Sequence, residues 1–183
     1  MTEALTASRN LHGVSIRAYR PSDHNACRRL WAELTEHRRG LYGEQSRGGP
    51  ETGAGFEEYL TQLNLSGMWV ADHVEEGVTG FVGLMLDGRA GEVDQVVVTA
   101  SMRGRGIGRA LLAKVAEEAR RRGLHRLTVS PSVRDVAALR TLHTSGFGTV
   151  STVTLSYDLA ATPGGAPPPQ DATLALYDLH FSV

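Results

Sequence analysis

The chain has 183 residues, 21% of them charged, with a formal net charge of −1 at pH 7. That balance excludes a globally basic nucleic-acid binder and a polyacidic tail protein. The one cysteine, Cys27, excludes a disulfide framework and a cysteine-rich metal site, and reads as a small apolar filler on a helix.

No apolar run approaches the roughly 18 residues of a transmembrane span. Residues 1–10 contain Glu3 and no apolar stretch, so they do not read as a secretory signal. The expected protein is soluble and cytoplasmic, with neither a membrane nor a nucleic acid as partner. At about 150 residues per domain it holds one folded domain, over residues 14–183, behind a flexible arm at 1–13.

Val14 to Tyr19 alternates as a strand does. Ser22 or Asp23 then caps a helix running to about Arg39, with Ala26, Leu30, Trp31 and Leu34 on one face. Residues 40–55 hold six glycines among polar residues and read as a mobile loop. A second helix is expected over 56–65. Three strands joined by short turns follow, at 68–73, 78–86 and 92–98, with Asp87-Gly88 as a hairpin signal. Trp69 and Phe81 are expected in the core.

Residues 106–122 form the clearest helix, striped by Ile107, Leu111, Leu112, Val115, Ala116 and Ala119. Glu117/Arg121 and Glu118/Arg122 are candidate i,i+4 pairs on its outer face. A strand at 126–130 precedes a helix from a Ser132–Asp135 capping box to about Ser145. Two more alternating strands are expected at 149–159 and 173–180, joined by a Pro/Gly-rich connection. A strand, helix, strand run over 93–130 makes two strands parallel. The fold class is therefore α/β, a mixed sheet covered by helices.

The segment Met102 to Leu112 reads M-R-G-R-G-I-G-R-A-L-L. It sits between a strand and a strongly amphipathic helix. Main-chain N–H groups without bulky side chains can converge there on an anion, and the helix N-terminus adds about half a positive charge. Arg103, Arg105 and Arg109 supply further donors. This is a site for a phosphate or diphosphate. It is not a P-loop, because no Lys follows the glycines, nor a dinucleotide fingerprint, because Arg109 stands where that motif needs Gly or Ala.

The segment does fit [R/Q]-x-x-G-x-[G/A], through Arg103, Gly106 and Gly108. With V-S-I-R-A-Y-R-P-S-D at the start, V-D-Q-V-V-V before the loop and S-G-F at 145–147, the chain resembles the GNAT superfamily of N-acetyltransferases over nearly its whole length. The resemblance implies a single domain with a mixed, mostly antiparallel sheet of about seven strands. It also implies a splay at the sheet's centre and about four flanking helices.

It implies acetyl-CoA as co-substrate and no metal. The main chain of Arg103, Gly104, Arg105, Gly106, Ile107 and Gly108, with Arg109, would hold the diphosphate. Val96, Val97 and Val98 would pair with the pantetheine arm as with an added strand, and a main-chain N–H near Val96 would face the thioester oxygen. Asp135 joins the cofactor-binding set, standing where the family has an Asn at a helix start.

Amine acetylation needs a base. The resemblance points to Glu92, eleven residues before Arg103, and Asp94 shares its strand face. Either acts alone or with a water. The family's general-acid Tyr is replaced by Leu142, with His143 adjacent. His12, His24, His37, His73, His125 and His180 show no metal-ligand spacing.

The implied activity is acetyl transfer from acetyl-CoA to a primary amine of a small molecule, peptide or protein, by direct attack in a ternary complex. Leu142 keeps open an acyl-CoA-binding sensor with little turnover. The acceptor mouth is expected at the 40–55 loop, with Tyr42, Glu44 and Glu51, and at the 160–172 connection. A homodimer through the C-terminal strands is a further expectation.

Overall fold

Alternation along 68–73 sorts side chains between two faces of a sheet. Trp69 and Ala71 join one buried cluster, while Met68 and Val70 join another. The computed structural model describes residues 11, 13–43, 53–63, 67–152 and 154. Within them five strands lie side by side in chain order. They are β1 (Val14–Ala18), β2 (Met68–His73), β3 (Gly77–Asp87), β4 (Ala90–Val98) and β5 (Arg126–Val129). The first four are antiparallel, and β5 pairs parallel to β4. The expected 173–180 strand and residues 153 and 155–159 of the expected 149–159 strand fall outside the described residues, so the described sheet has five strands against the expected seven or so. Most of the 40–55 loop, including Glu44 and Glu51, lies outside them too.

Among the described residues four α-helices cover the sheet: α1 (His24–Leu41), α2 (Gly55–Gln62), α3 (Ile107–Arg121) and α4 (Val136–Thr144). On one face the α3 residues Ile107, Leu111, Leu112 and Val115 pack on Trp69, Val82, Leu84 and Val93, with Leu142 of α4. On the other, Cys27 and Leu30 of α1 and Phe56 and Tyr59 of α2 pack on Val70, Phe81 and Val97. Trp31 lies in this aromatic group, stacked on Phe81 at 6.5 Å between ring centroids. Trp69 and Phe81 are buried as expected, and Cys27 is a core filler whose thiol burial pushes up to about 12.

Three local expectations need correction. Asp135, not Ser132, caps α4: its carboxylate accepts from Ala138 N at 2.9 Å, and the helix begins at Val136. A capping box closes with a Glu or Gln side chain, whereas the shorter Asp bonds forward as a cap itself. On α3, the buried Glu118 accepts from Arg121 three residues on and from Lys114 four residues back, while Arg122 lies over the Trp69 ring. Asp23, finally, makes no side-chain cap bond to α1.

Asp23 instead receives two bonds from Arg17 of β1, at 2.7 and 2.8 Å, and one from Arg20 N at 2.8 Å. This clamp joins β1 to α1 and is 94% removed from solvent on the Asp side, its relative exposure being 6%. Arg17 holds the Asp23 carboxyl below the usual carboxylate range. A depressed folded pKa adds stability above the unfolded value, and that stability is lost as pH falls through the folded pKa. Asp23→Asn is expected to cost about 2 kcal/mol at pH 7 by urea unfolding. The difference from the unmodified protein should shrink towards zero in acid.

Candidate functional site

The parity of β4 reverses along its length. Val93 packs on the α3 face, yet Val97, four residues on, packs among α1 and α2, while Val96 and Val98 return to the α3 face. An even interval should keep one face in a regular strand. The extra residue is Gln95. It has φ +54, and the pairing of β3 with β4 slips between Gly83↔Asp94 and Phe81↔Val97. This is a β-bulge, which bends a strand and interrupts its ladder.

The bend has a direct consequence. β5 pairs with Ala90, Gly91, Glu92 and Val93 only. Beyond Val93 the strands fork, and residues 94–98 have no strand partner on that side among the described residues. The expected splay is therefore present, and its free edge carries Val96, Val97 and Val98. The Val97 side chain is buried in the core, so only its main chain faces the fork.

The free edge runs through a short 3₁₀ turn, Ala100–Met102, into the glycine-rich loop. Gly104 and Gly106 have φ of +75 and +86, left-handed conformations that favour glycine. A Cβ on Gly104 would meet nothing within 4 Å, so the loop surface is open. Gly106 is the N-cap of α3, where no side chain among the described residues bonds to the first-turn N–H groups and the first turn holds no acidic residue. Those donors, exposed Arg105 and exposed Arg109 form an open cationic surface. Ile107 contributes main chain only, its side chain being buried. Arg103 bends back, donating from Nε to Val98 O at 3.0 Å.

Three α1 residues that the sequence pattern did not single out reach this region. Glu33 accepts from Thr99 Oγ1 at 2.9 Å and from Ala100 N at 3.1 Å, fixing the approach to the loop. His37 Nε2 lies 2.8 Å from the Asp135 carboxylate, joining α1 to the start of α4. Asp135 is thus committed to a cap and a histidine. A cleft of about 520 Å³ runs between Glu33 and His37 on α1 and Ala100 and Arg103 beside the loop. Arg38 donates to Gln95 Oε1 at 2.5 Å. Tyr42 Oη meets Ser132 Oγ at 3.0 Å, placing the end of α1 beside the segment after β5.

The two candidate bases sit differently. Glu92 is exposed and still within the paired part of β4, opposite Thr128, and it accepts from Ser130 Oγ at 3.0 Å. Asp94 is the first residue past the fork. Its carboxyl pKa is raised, chiefly by burial and next by the Glu92 charge, with Arg38 and Gln95 opposing. Leu142 is core, 7% exposed, so no hydroxyl occupies the position where the family places its acid.

The model of the acetyltransferase (GNAT) family matches residues 31–147. A GNAT-family acetyltransferase from Staphylococcus aureus Mu50 superposes with a TM-score of 0.61 at 16% identity, covering 85% of this chain and 92% of that one. A ribosomal-protein-alanine N-acetyltransferase from Brucella melitensis does so with a TM-score of 0.60 at 26% identity, covering 75% and 86%. An N-acetylglutamate synthase from Neisseria gonorrhoeae, complexed with coenzyme A and N-acetyl-glutamate, gives 0.51 at 26% identity, over 69% of this chain and 27% of that one. No curated protein matches significantly. With its forked sheet, its glycine-rich turn into α3 and a family match over most of its length, the chain belongs to the GNAT family of acetyltransferases.

Proposed function

We propose that the chain transfers an acetyl group from acetyl-CoA to a primary amine of a small molecule, peptide or protein, by direct attack in a ternary complex. The observation that carries this reading is the fork at Val93, whose free edge leads straight into an uncapped helix N-terminus. The 26% identical relatives support it, one by its N-acetyltransferase name and the other by its bound coenzyme A.

The residues present suit the carrier. Main-chain N–H groups of 103–108 receive the diphosphate, helped by Arg105 and Arg109. The edge at 96–98 offers N–H and C=O groups to an amide-bearing arm, as in strand addition. When bound, acetyl-CoA supplies an activated thioester carbonyl. A main-chain N–H near Val96 stabilises negative charge on that carbonyl's oxygen. The Asp94 or Glu92 carboxylate takes a proton from the acceptor nitrogen, directly or through water, as the C–N bond forms and the C–S bond breaks. Leu142 can give no proton to the departing sulfur, so that proton comes from water.

The test pairs two measurements: free-thiol release from acetyl-CoA with a panel of primary amines, and thermal stabilisation by acetyl-CoA alone. The expected result is turnover with at least one amine class, together with stabilisation. Stabilisation without turnover on any amine would favour the sensor reading, which the core position of Leu142 keeps in play. Salt-dependent RNA binding that acetyl-CoA fails to displace would count against both.

A further inference from the structure

The bulge residue Gln95 links two charged groups that belong to different elements. Its Nε2 donates to Asp94 Oδ1 at 2.6 Å, and its Oε1 accepts from Arg38 Nη2 at 2.5 Å. Arg38 comes from the last turns of α1 and lies 57 residues away in sequence. The amide therefore stands between a guanidinium and the carboxylate at the fork. Its dipole points the right way at both ends, with the oxygen to the cation and the N–H to the anion.

The backbone at Gln95 makes this arrangement possible. A regular strand would turn residue 95 to the face opposite residue 94. With φ +54 the chain folds the Gln95 side chain back beside its neighbour. A non-glycine residue in that region is uncommon and carries strain of order 1–3 kcal/mol. Glycine would be the strain-free choice if only the bulge mattered. A glutamine here keeps an amide at the one place where it can reach both Asp94 and Arg38.

We propose that Gln95 and Arg38 are positioning residues that fix the Asp94 carboxylate at the mouth of the fork as the group that takes the acceptor's proton. This rests on the N-acetyltransferase reading for its chemistry, though not for its geometry. In the step itself the acceptor nitrogen's lone pair forms the C–N bond, its N–H bond breaks as an O–H bond forms on Asp94, and the C–S bond breaks to release the CoA thiolate, which takes its proton from water.

The surroundings of Asp94 explain why such a relay is needed. The charged and titratable groups facing it among the described residues are Glu92 on β4, Arg38 on α1 and Tyr59 on α2. β3 presents only Gly83 opposite it. Tyr59 is spent on the Asp94 main chain, its hydroxyl donating to the carbonyl at 3.3 Å, and burial keeps its phenol protonated. Burial and Glu92 both raise the carboxyl pKa, which makes a stronger base but favours the neutral form. Arg38 and Gln95 act in the opposite direction and favour the charged form that can accept a proton.

The test follows the Asp94 carboxyl carbon by NMR through a pH titration, alongside kcat against pH. Arg38→Ala removes the cation from an exposed position. Gln95→Gly removes the amide and relaxes the backbone, so the chain keeps its fold. In both variants the Asp94 midpoint is expected to move to higher pH, and the acidic limb of kcat to move with it. Arg38→Lys should return both towards the starting values. Midpoints unmoved or lowered in both variants would overturn the proposal, whatever the chain acetylates. A raised midpoint in a protein that acetylates no amine would uphold the relay and defeat the N-acetyltransferase reading instead.

Discussion

Replacing Gly106 by glutamate is expected to weaken binding of CoA by about 100-fold or more. Two charge-assisted hydrogen bonds from main-chain N–H to phosphate contribute about 1.5–3 kcal/mol each, and each 1.4 kcal/mol is a factor of ten in affinity. Gly106 is the N-cap of α3, and no side chain among the described residues shares its first-turn donors. A glutamate there brings a carboxylate to the donors and reverses the local field. It also brings a side chain to a position where a Cβ would stand 3.7 Å from an Arg109 nitrogen. Two costs must be separated. With φ +86 at this position, any L side chain loses about 1–2 kcal/mol of stability. Gly106→Ala bears that cost without the charge. Both variants should melt a few degrees low, but only the glutamate should lose CoA in calorimetry. Equal CoA affinity in Gly106→Glu and the unmodified protein would remove the loop from donor binding.

Local pattern carried the elements well and the long-range polar contacts poorly. Met68–Ala71 is a continuous apolar run because both faces of β2 are buried against different helices, and the α3 stripe has the helical period because one face meets the sheet. Such regularities are visible within ten residues of chain. The fork was legible only in part. In V-D-Q-V-V-V two polar residues adjoin three valines, which no strict alternation allows, and a one-residue bulge at Gln95 resolves the conflict. That break in period was the available signal for a bulge. Glu33, His37 and Arg38 had no such signal. They lie on the polar side of α1, and their partners Thr99, Asp135 and Gln95 are 66, 98 and 57 residues distant. Nothing in a helical period tells a solvated charge from one that the sheet will meet. Asp135 shows the same limit: its cap of α4 follows from local chemistry, but its contact with His37 does not.

Asp94→Asn is expected to lower turnover by about 10²- to 10⁴-fold, the range for losing a general base, while CoA affinity stays nearly constant. Glu92→Gln should lower turnover by less. The ranking follows from the fork. Glu92 lies where β4 and β5 are still hydrogen-bonded, is exposed, and is bonded by Ser130. Asp94 is the first residue beyond the last paired position, on the side that α1 and α2 cover, and burial raises its carboxyl pKa above the ordinary Asp value. The pH dependence separates the two. A base works in its charged form, so activity falls as pH drops through the raised Asp94 pKa. Glu92→Gln deletes a negative neighbour that raises that pKa, so its acidic limb should shift to lower pH. Arg38→Ala should shift the limb the opposite way. Opposite displacements from two substitutions on different elements require a titrating group between them, and Asp94 is the carboxylate that both charges face. Full activity of Asp94→Asn across the pH range, with Glu92→Gln inactive, would transfer the role to Glu92.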